Sequence, residues 1–425
     1  MTIAAECGRG AGRVPLRGGE PCTAGFSLSI GKRAGRRSPL SSFELTKREE
    51  PGSWRGMDWI THAAVGAALG ELMLGKRLGN RALSWGLLVG IAPDLLDSLW
   101  MLCLSTSGQL AQTGVASHSP LVLLAMVLVL PRASANLWRQ AKVTRVQAGG
   151  FIAAGWGAHL VVDSLRLPGV QVLWPYPGAR VGIWLLDKGD GGLALPLVVM
   201  LLSLLWLRGK QAQARRRRRW WWGVGLSGGY LALALLGKWA ASAGFAADLA
   251  RRGISYARLT ESPTPWNLLL WRGLVDRGDE IWVAYRSPFE WHTTPLRWTV
   301  FPRQRQAFTP LAGGPDAKRI AAFAQDWWIA RPNKSGIWLA DLRGGEYRQW
   351  GERKGMVDIR LQHAWQLAAQ AAGDPLHPIF IKMQTGGETA RRLLQRSLGE
   401  RDAWDAIPRL AGVPGALPEL LRVVE

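Results

Sequence analysis

Cysteine is almost missing from this chain of 425 residues: there are three, Cys7, Cys22 and Cys103, and two of them fall within the first 56 positions. So few thiols build neither a disulfide framework nor a thiolate metal site. Acidic residues are thin as well, 31 Asp and Glu against 53 Lys and Arg, for a net charge of +22. An excess of that size raises the idea of a disordered polycation, but 48% hydrophobic residues and 24 Trp exclude it. Residues 1–56 contain no apolar run long enough for the core of a signal peptide. They are rich in Gly, Ser, Pro and Arg and read either as a disordered leader or as an over-called start ahead of Met57.

What is present is apolar sequence in blocks. Between Met57 and residue 247, apolar stretches at 61–75, 84–104, 119–131, 148–165, 192–207 and 220–247 alternate with polar connections. The excess charge is greatest in this same region, at +11, which is the mark that the positive-inside rule leaves on a membrane protein rather than the footprint of a nucleic-acid binder. Lys76, Arg77 and Arg81 follow the first stretch, Arg132, Arg139, Lys142 and Arg145 the third, and Arg208, Lys210 and Arg215 to Arg219 the fifth. The alternate connections, 105–118 and 166–191, are poor in basic residues. The expectation is a mainly α protein: a polytopic transmembrane helical bundle of five or six spans at 57–247, followed by a small soluble α+β domain at 248–425. The basic loops lie in the cytoplasm and the C-terminal domain outside it. The Arg run before Trp220, Trp221 and Trp222 reads as an anchor at lipid head groups, so the expected partner is the bilayer and not nucleic acid.

Only seven acids occur between 57 and 247, and four of them, Asp58, Asp94, Asp97 and Asp163, lie within or beside apolar stretches. The three histidines of this half, His62, His118 and His159, have similar settings. Ionisable groups at membrane depth cost about 2.5–3.5 kcal/mol each, so they pair, line a cavity or bind an ion. Asp58 and His62 are four residues apart, as are His159 and Asp163, and Asp94 and Asp97 are three apart; each pair shares a helix face. Imidazole and carboxylate without thiolate suit a divalent metal, Zn²⁺ first and Mn²⁺ or Fe²⁺ next. All seven residues are expected metal ligands, and Asp58, Asp94 and Asp97 double as candidate general bases for a metal-activated water. Asp187, Asp190, Arg180 and Glu71 read as solvated or interfacial, and Trp174-Pro175 as a lip or an interfacial anchor.

These motifs resemble the YdjM-like family of bacterial inner-membrane metal-dependent hydrolases. The resemblance rests on Met57-Asp58 with Thr61-His62 and Gly66, Pro93-Asp94 with Asp97, Ser117-His118-Ser119, Gly157 and His159 with Asp163, and Trp174-Pro175. It covers about residues 57–185 and implies a multi-pass inner-membrane hydrolase distantly similar to zinc-dependent phospholipase C and P1 nuclease. The seven Asp and His residues would then be its ligands or catalytic groups. Many members carry a His-Arg pair shortly before the Ser-His-Ser element, where this chain has Gln112-Thr113-Gly114-Val115-Ala116. The function expected is hydrolysis of a phosphoester, such as a lipid or lipid-linked substrate. The alternatives from other classes are a divalent-metal or proton transporter, and an envelope protein whose metal is structural.

Past residue 247 the composition is that of a soluble protein. Ser262-Pro263-Thr264-Pro265 reads as a linker; 280–286, 296–301 and 337–342 read as strands; and 316–330, 358–371 and 389–406 as helices. Eleven Trp fall in this part; core and interfacial packing is the favoured explanation, and a surface facing the bilayer or a glycan is the alternative. His292, His363 and His377 have no ligand spacing.

Overall fold

The computed structural model describes residues 58–103, 116–174, 180–187, 190–290, 294–334, 336–350, 355–368, 377–380, 387–413 and 415–425. The leader at 1–56, Gln112 to Val115, Pro175, Lys188 and His292 lie outside them, as does the side chain of His377.

Helices come first in the chain: α1 (Asp58–Leu78), α2 (Asn80–Met101), α3 (Pro120–Ala133), α4 (Ala135–Gln140), α5 (Arg145–Ser164), α6 (Ala194–Leu205) and α7 (Gln213–Arg251). Glycines bring α1 and α2 together as an antiparallel pair. A Cβ on Gly66 would lie 2.3 Å from the Gly86 carbonyl oxygen, and one on Gly90 would lie 2.3 Å from that of His62. Backbone therefore packs on backbone, as in small-xxx-small helix pairs of membrane proteins. The start of α5 is set by a capping box between Thr144 and Gln147. Ser119 caps α3 and accepts from the Val122 amide, with Pro120 at the first helical position.

The chain does not form the polytopic helical bundle expected of it. Among the described residues, two helices are long and apolar enough to cross a membrane, over Asn80–Trp100 and Gln213–Arg251. At 14 and 12 residues, α3 and α6 reach only about 21 and 18 Å, well short of about 30 Å of hydrocarbon. α1 and α5 have the length, but α1 carries Asp58, His62, Glu71, Lys76 and Arg77, while α5 buries Phe151, Ile152, Trp156, His159 and Val162 against protein. Their buried apolar side chains serve packing within the protein, a use that hydropathy does not separate from contact with lipid.

The C-terminal part is also more than a small appendage. Strands β1 (Arg258–Pro263), β2 (Trp271–Asp276), β3 (Glu280–Arg286), β4 (Trp298–Pro302) and β11 (Arg422–Val424) make an antiparallel sheet in the order β1-β2-β3-β4-β11. A second sheet runs β10-β9-β7-β6-β5, from β5 (Trp328–Asn333), β6 (Gly336–Trp350), β7 (Met356–Ala368), β9 (Ile407–Leu410) and β10 (Glu419–Leu420), with β8 (His377–Phe380) also paired to β7. The expected linker is the end of β1 and the turn after it. The segment 358–371, expected as helix, falls largely within β7: Val357, Ile359 and Leu361 are buried at every second position, the period of a strand.

Alternation along β3 explains the layering. Ile281, Val283 and Tyr285 join Ile329, Trp338, Val357 and Ile359 between the sheets, while Trp282 and Ala284 turn the other way, to Ala241, Phe245 and Leu249 of α7. Short helices α8 (Arg305–Phe308), α9 (Pro315–Ala324) and α10 (Gly387–Ser397) flank the sheets; Ile320 and Phe323 of α9 cover the outer face of the second sheet with Trp328, Leu339 and Trp365. Val162 and Leu165, at the end of α5, share the core of α7 and the first sheet, and Trp184 enters the core between the sheets.

Candidate metal centre

Three helices and one turn deliver the polar groups. Asp94 and Asp97 occupy the last two turns of α2, His159 and Asp163 the last two turns of α5, His62 the first turns of α1, and His118 the turn ahead of the Ser119 cap. One ligand atom each from Asp94, His118, His159 and Asp163 lie within 4.8 Å of one another. His118 Nε2 is 2.8 Å from Asp163 Oδ2, 3.7 Å from Asp94 Oδ1 and 3.0 Å from His159 Nε2. His159 Nε2 is 3.2 Å from Asp163 Oδ2 and 3.5 Å from Asp94 Oδ1. A tetrahedral ion with bonds of about 2.0–2.1 Å sets its ligand atoms about 3.3–3.4 Å apart, in the middle of those separations.

Hydrogen bonds orient both rings. His159 Nδ1 donates to the Gly90 carbonyl at 2.7 Å, which leaves Nε2 with its lone pair toward Asp94 and Asp163. His118 Nδ1 lies 2.7 Å from Ser117 Oγ and 3.3 Å from Asp97 Oδ2, and the Ser117 hydroxyl donates in turn to Asp97. Asp97 thus stands behind His118, on the side away from the four-atom cluster, in the arrangement of a carboxylate that fixes a ligating imidazole. Trp156 Nε1 donates to the Ser117 carbonyl at 3.0 Å and ties that turn to α5.

Two imidazole lone pairs and two carboxylate oxygens facing one point repel unless positive charge sits among them. Bound protons or a divalent cation answer that need, and the nitrogen and oxygen donors fit a zinc-type ion. The three imidazoles are all but fully buried, while Asp94 and Asp163 keep about a fifth of their side chains exposed, so the carboxylates line the opening.

His62 stands one step outside the four. Its Nε2 is 3.0 Å from Asp163 Oδ1 and its ring stacks on His159 at 3.8 Å, so Asp163 faces His62 with one oxygen and the other two histidines with the second. Asp58 begins α1, and its side chain lies outside the described residues. The sequence reading passed over Ser117 as a bridge and the Gly90 carbonyl as an acceptor. Ser117 was legible as the neighbour of His118; the carbonyl had no sequence signal.

Four groups expected to be solvated or interfacial fare differently. Glu71 holds Arg216 from two sides, with Nε to Oε1 at 2.8 Å, in a pair less than a tenth exposed. Asp190 is buried and accepts from the Tyr230 hydroxyl at 2.6 Å. Asp187 is half-buried and its carbonyl accepts from the Asp190 amide at 3.1 Å. Arg180 packs over the Phe323 ring, and burial together with Arg343 pushes its guanidinium down to about 10 while Asp97 pulls it back.

Two helices among the described residues have the length and apolar composition to cross a bilayer, and the Asp/His cluster, with Asp94 on one of them, is a candidate metal centre. Residues 57–241, which hold all of that cluster, match the family model described as YdjM inner membrane protein. No curated protein and no solved structure matches the chain.

Proposed function

We propose that this is a membrane-bound, metal-dependent hydrolase that acts on a phosphoester of a lipid or lipid-linked substrate. The observation that carries the reading is the spacing of Asp94, His118, His159 and Asp163, whose ligand atoms stand at the edge lengths of a single coordination shell. A divalent ion held there would polarise a phosphoryl oxygen and lower the pKa of a water beside it. His118 and His159 supply neutral nitrogen donors fixed from behind by Asp97, Ser117 and Gly90. Asp94, the most exposed of the four and 3.5–3.7 Å from the imidazoles, would take a proton from the nucleophile.

Charge supports a site on the outer side. Lys76 and Arg77 precede α2, Arg81 lies in its first turn, and Arg215 to Arg219 open α7; basic ends stay in the cytoplasm. The far end of α2, with Asp94 and Asp97, and the sheets after α7 then lie outside the inner membrane.

A second reading has its own observation. Four protein donors complete a tetrahedral shell, which is the habit of structural zinc. Purified wild type, His159→Ala and Asp94→Ala separate the two by metal analysis and by release of phosphate or head group from a lipid panel. The hydrolase reading expects one equivalent of metal and turnover in the wild type, with both lost in His159→Ala. Metal content unchanged in both variants would remove the site; full metal with no turnover would leave the structural reading.

A further inference from the structure

The helix α7 is longer than a membrane needs. Its exposed apolar side chains, Trp221, Trp222, Leu226, Leu233, Leu235, Leu236 and Trp239, end at Trp239, after which Ala241, Gly244, Phe245, Asp248 and Leu249 are buried against the first sheet. From Trp221 to Trp239 the helix rises about 27 Å, close to about 30 Å of hydrocarbon, with tryptophan at both ends where interfacial belts lie. Trp239 therefore marks one membrane surface on this helix.

The first sheet is fixed in depth relative to that mark. A Cβ on Gly273 would meet the Phe245 ring at 2.9 Å, and one on Gly237 would meet Trp271 Nε1 at 3.0 Å. Moving along β2 from Gly273 back to Trp271 thus follows α7 from Phe245 back toward Trp239. Lys238 holds the same level from β1, with Nζ 3.0 Å from Glu261 Oε1 and 2.8 Å from the Glu261 carbonyl. The turn 264–270 that joins β1 to β2 lies further in this direction, at the membrane end of the hairpin.

That turn is rigid and presents apolar side chains outward. Asn267 donates to Thr264 Oγ1 and the Pro265 carbonyl and accepts from the Leu269 and Leu270 amides. Trp266 is held at φ 61° and is 48% exposed, and Leu269 is 39% exposed. A bulky side chain in the left-handed region costs on the order of 1–3 kcal/mol. Facing water, the turn would carry that cost and the exposure of a Trp and a Leu together.

We propose that the 264–270 turn docks on the phospholipid bilayer, with Trp266 and Leu269 in the interfacial layer beside Trp239, so that the first sheet rests on the membrane through the tip of its β1–β2 hairpin. The occupant is lipid because the hairpin tip lies at the level where the exposed apolar stretch of α7 ends at Trp239. The inference does not depend on the metal centre or on which side of the membrane the sheets lie.

Single cysteines at Trp266, Leu269 and Asp279, made in the full chain with Cys7, Cys22 and Cys103 replaced by Ser, test it with nitroxide labels in phosphatidylglycerol/phosphatidylethanolamine vesicles. Asp279 lies in the turn at the opposite end of β2 and is exposed. Power saturation should show labels at 266 and 269 relaxed more by oxygen than by a water-soluble nickel complex, and the label at 279 the reverse. Equal access of the nickel complex at all three positions overturns the proposal. Protection of 266 and 269 from both relaxants also overturns it, because it reports a covering protein surface. Should Trp266→Cys fail to fold, Leu269 alone decides.

Discussion

Asp97 sits one imidazole ring away from the point where the ligand atoms converge, and that offset sets its role. Its carboxylate meets His118 Nδ1 and the Ser117 hydroxyl; such partners hold the tautomer and raise the basicity of the nitrogen opposite. Asp97→Asn should therefore keep the metal stoichiometry but weaken affinity by about 10–100-fold, read by competition with a chelator. Affinity equal to that of the wild type would show that Asp97 does not orient His118. Asp94, His118, His159 and Asp163, which the structure brings together, were all among the seven residues singled out by rarity, and His159 with Asp163 by i,i+4 spacing as well. The division of labour between Asp94 and Asp97 was not legible, because it depends on where a distant turn brings His118.

At the scale of elements, the glycines of the α1–α2 pair matter more than its hydropathy. A Cβ on Gly86 would come within 2.2 Å of the Gly66 carbonyl oxygen, and that atom is backbone and cannot rotate away. Gly86→Ala should lower stability by at least the ~1–3 kcal/mol of an overpacked core, measured by thermal unfolding in detergent. Gly150→Ala, at an open position of α5, should instead gain about 0.5–1 kcal/mol. Equal effects at the two positions would contradict the close approach. Because the Gly90 carbonyl accepts from His159, this helix pair also sets the depth of the metal centre. The recurrence of glycine at 66, 70, 86 and 90 carried that information, whereas apolar block length did not. The strands expected at 280–286 and 296–301 were readable by alternation, the second running Trp298–Pro302; the segment 358–371, expected as helix, contains helix-favouring Leu, Gln and Ala, but Ile359 and Leu361 follow the strand period.

Across the whole molecule, the sheets enclose charge as well as apolar side chains. Glu346 is buried beside Arg348 Nη2 at 2.7 Å and Arg272 Nη2 at 3.5 Å. Burial alone would raise its carboxyl, but the two guanidiniums hold it below the usual range. A carboxylate with a lowered folded pKa adds stability above its unfolded value of about 4.3, and the contribution is lost as pH falls through the folded value. Glu346→Gln should cost about 3–5 kcal/mol at neutral pH, and the gap from wild type should close on acidification below the ordinary carboxylate range. A gap constant from pH 7 to 3 in chemical unfolding would show that the ion pair is not the source.

Since α7 runs unbroken from the Arg cluster at its start to Asp248, which accepts from Trp298 Nε1 at 2.9 Å, it would work, with the membrane surface proposed at Trp239, as a lever with its fulcrum there. A thinner bilayer that tilted the lower arm would swing the sheets by the same angle. Val162 and Leu165 share that upper arm's core, so the strain would reach Asp163 one residue away and would gear the geometry of the Asp/His cluster to membrane thickness.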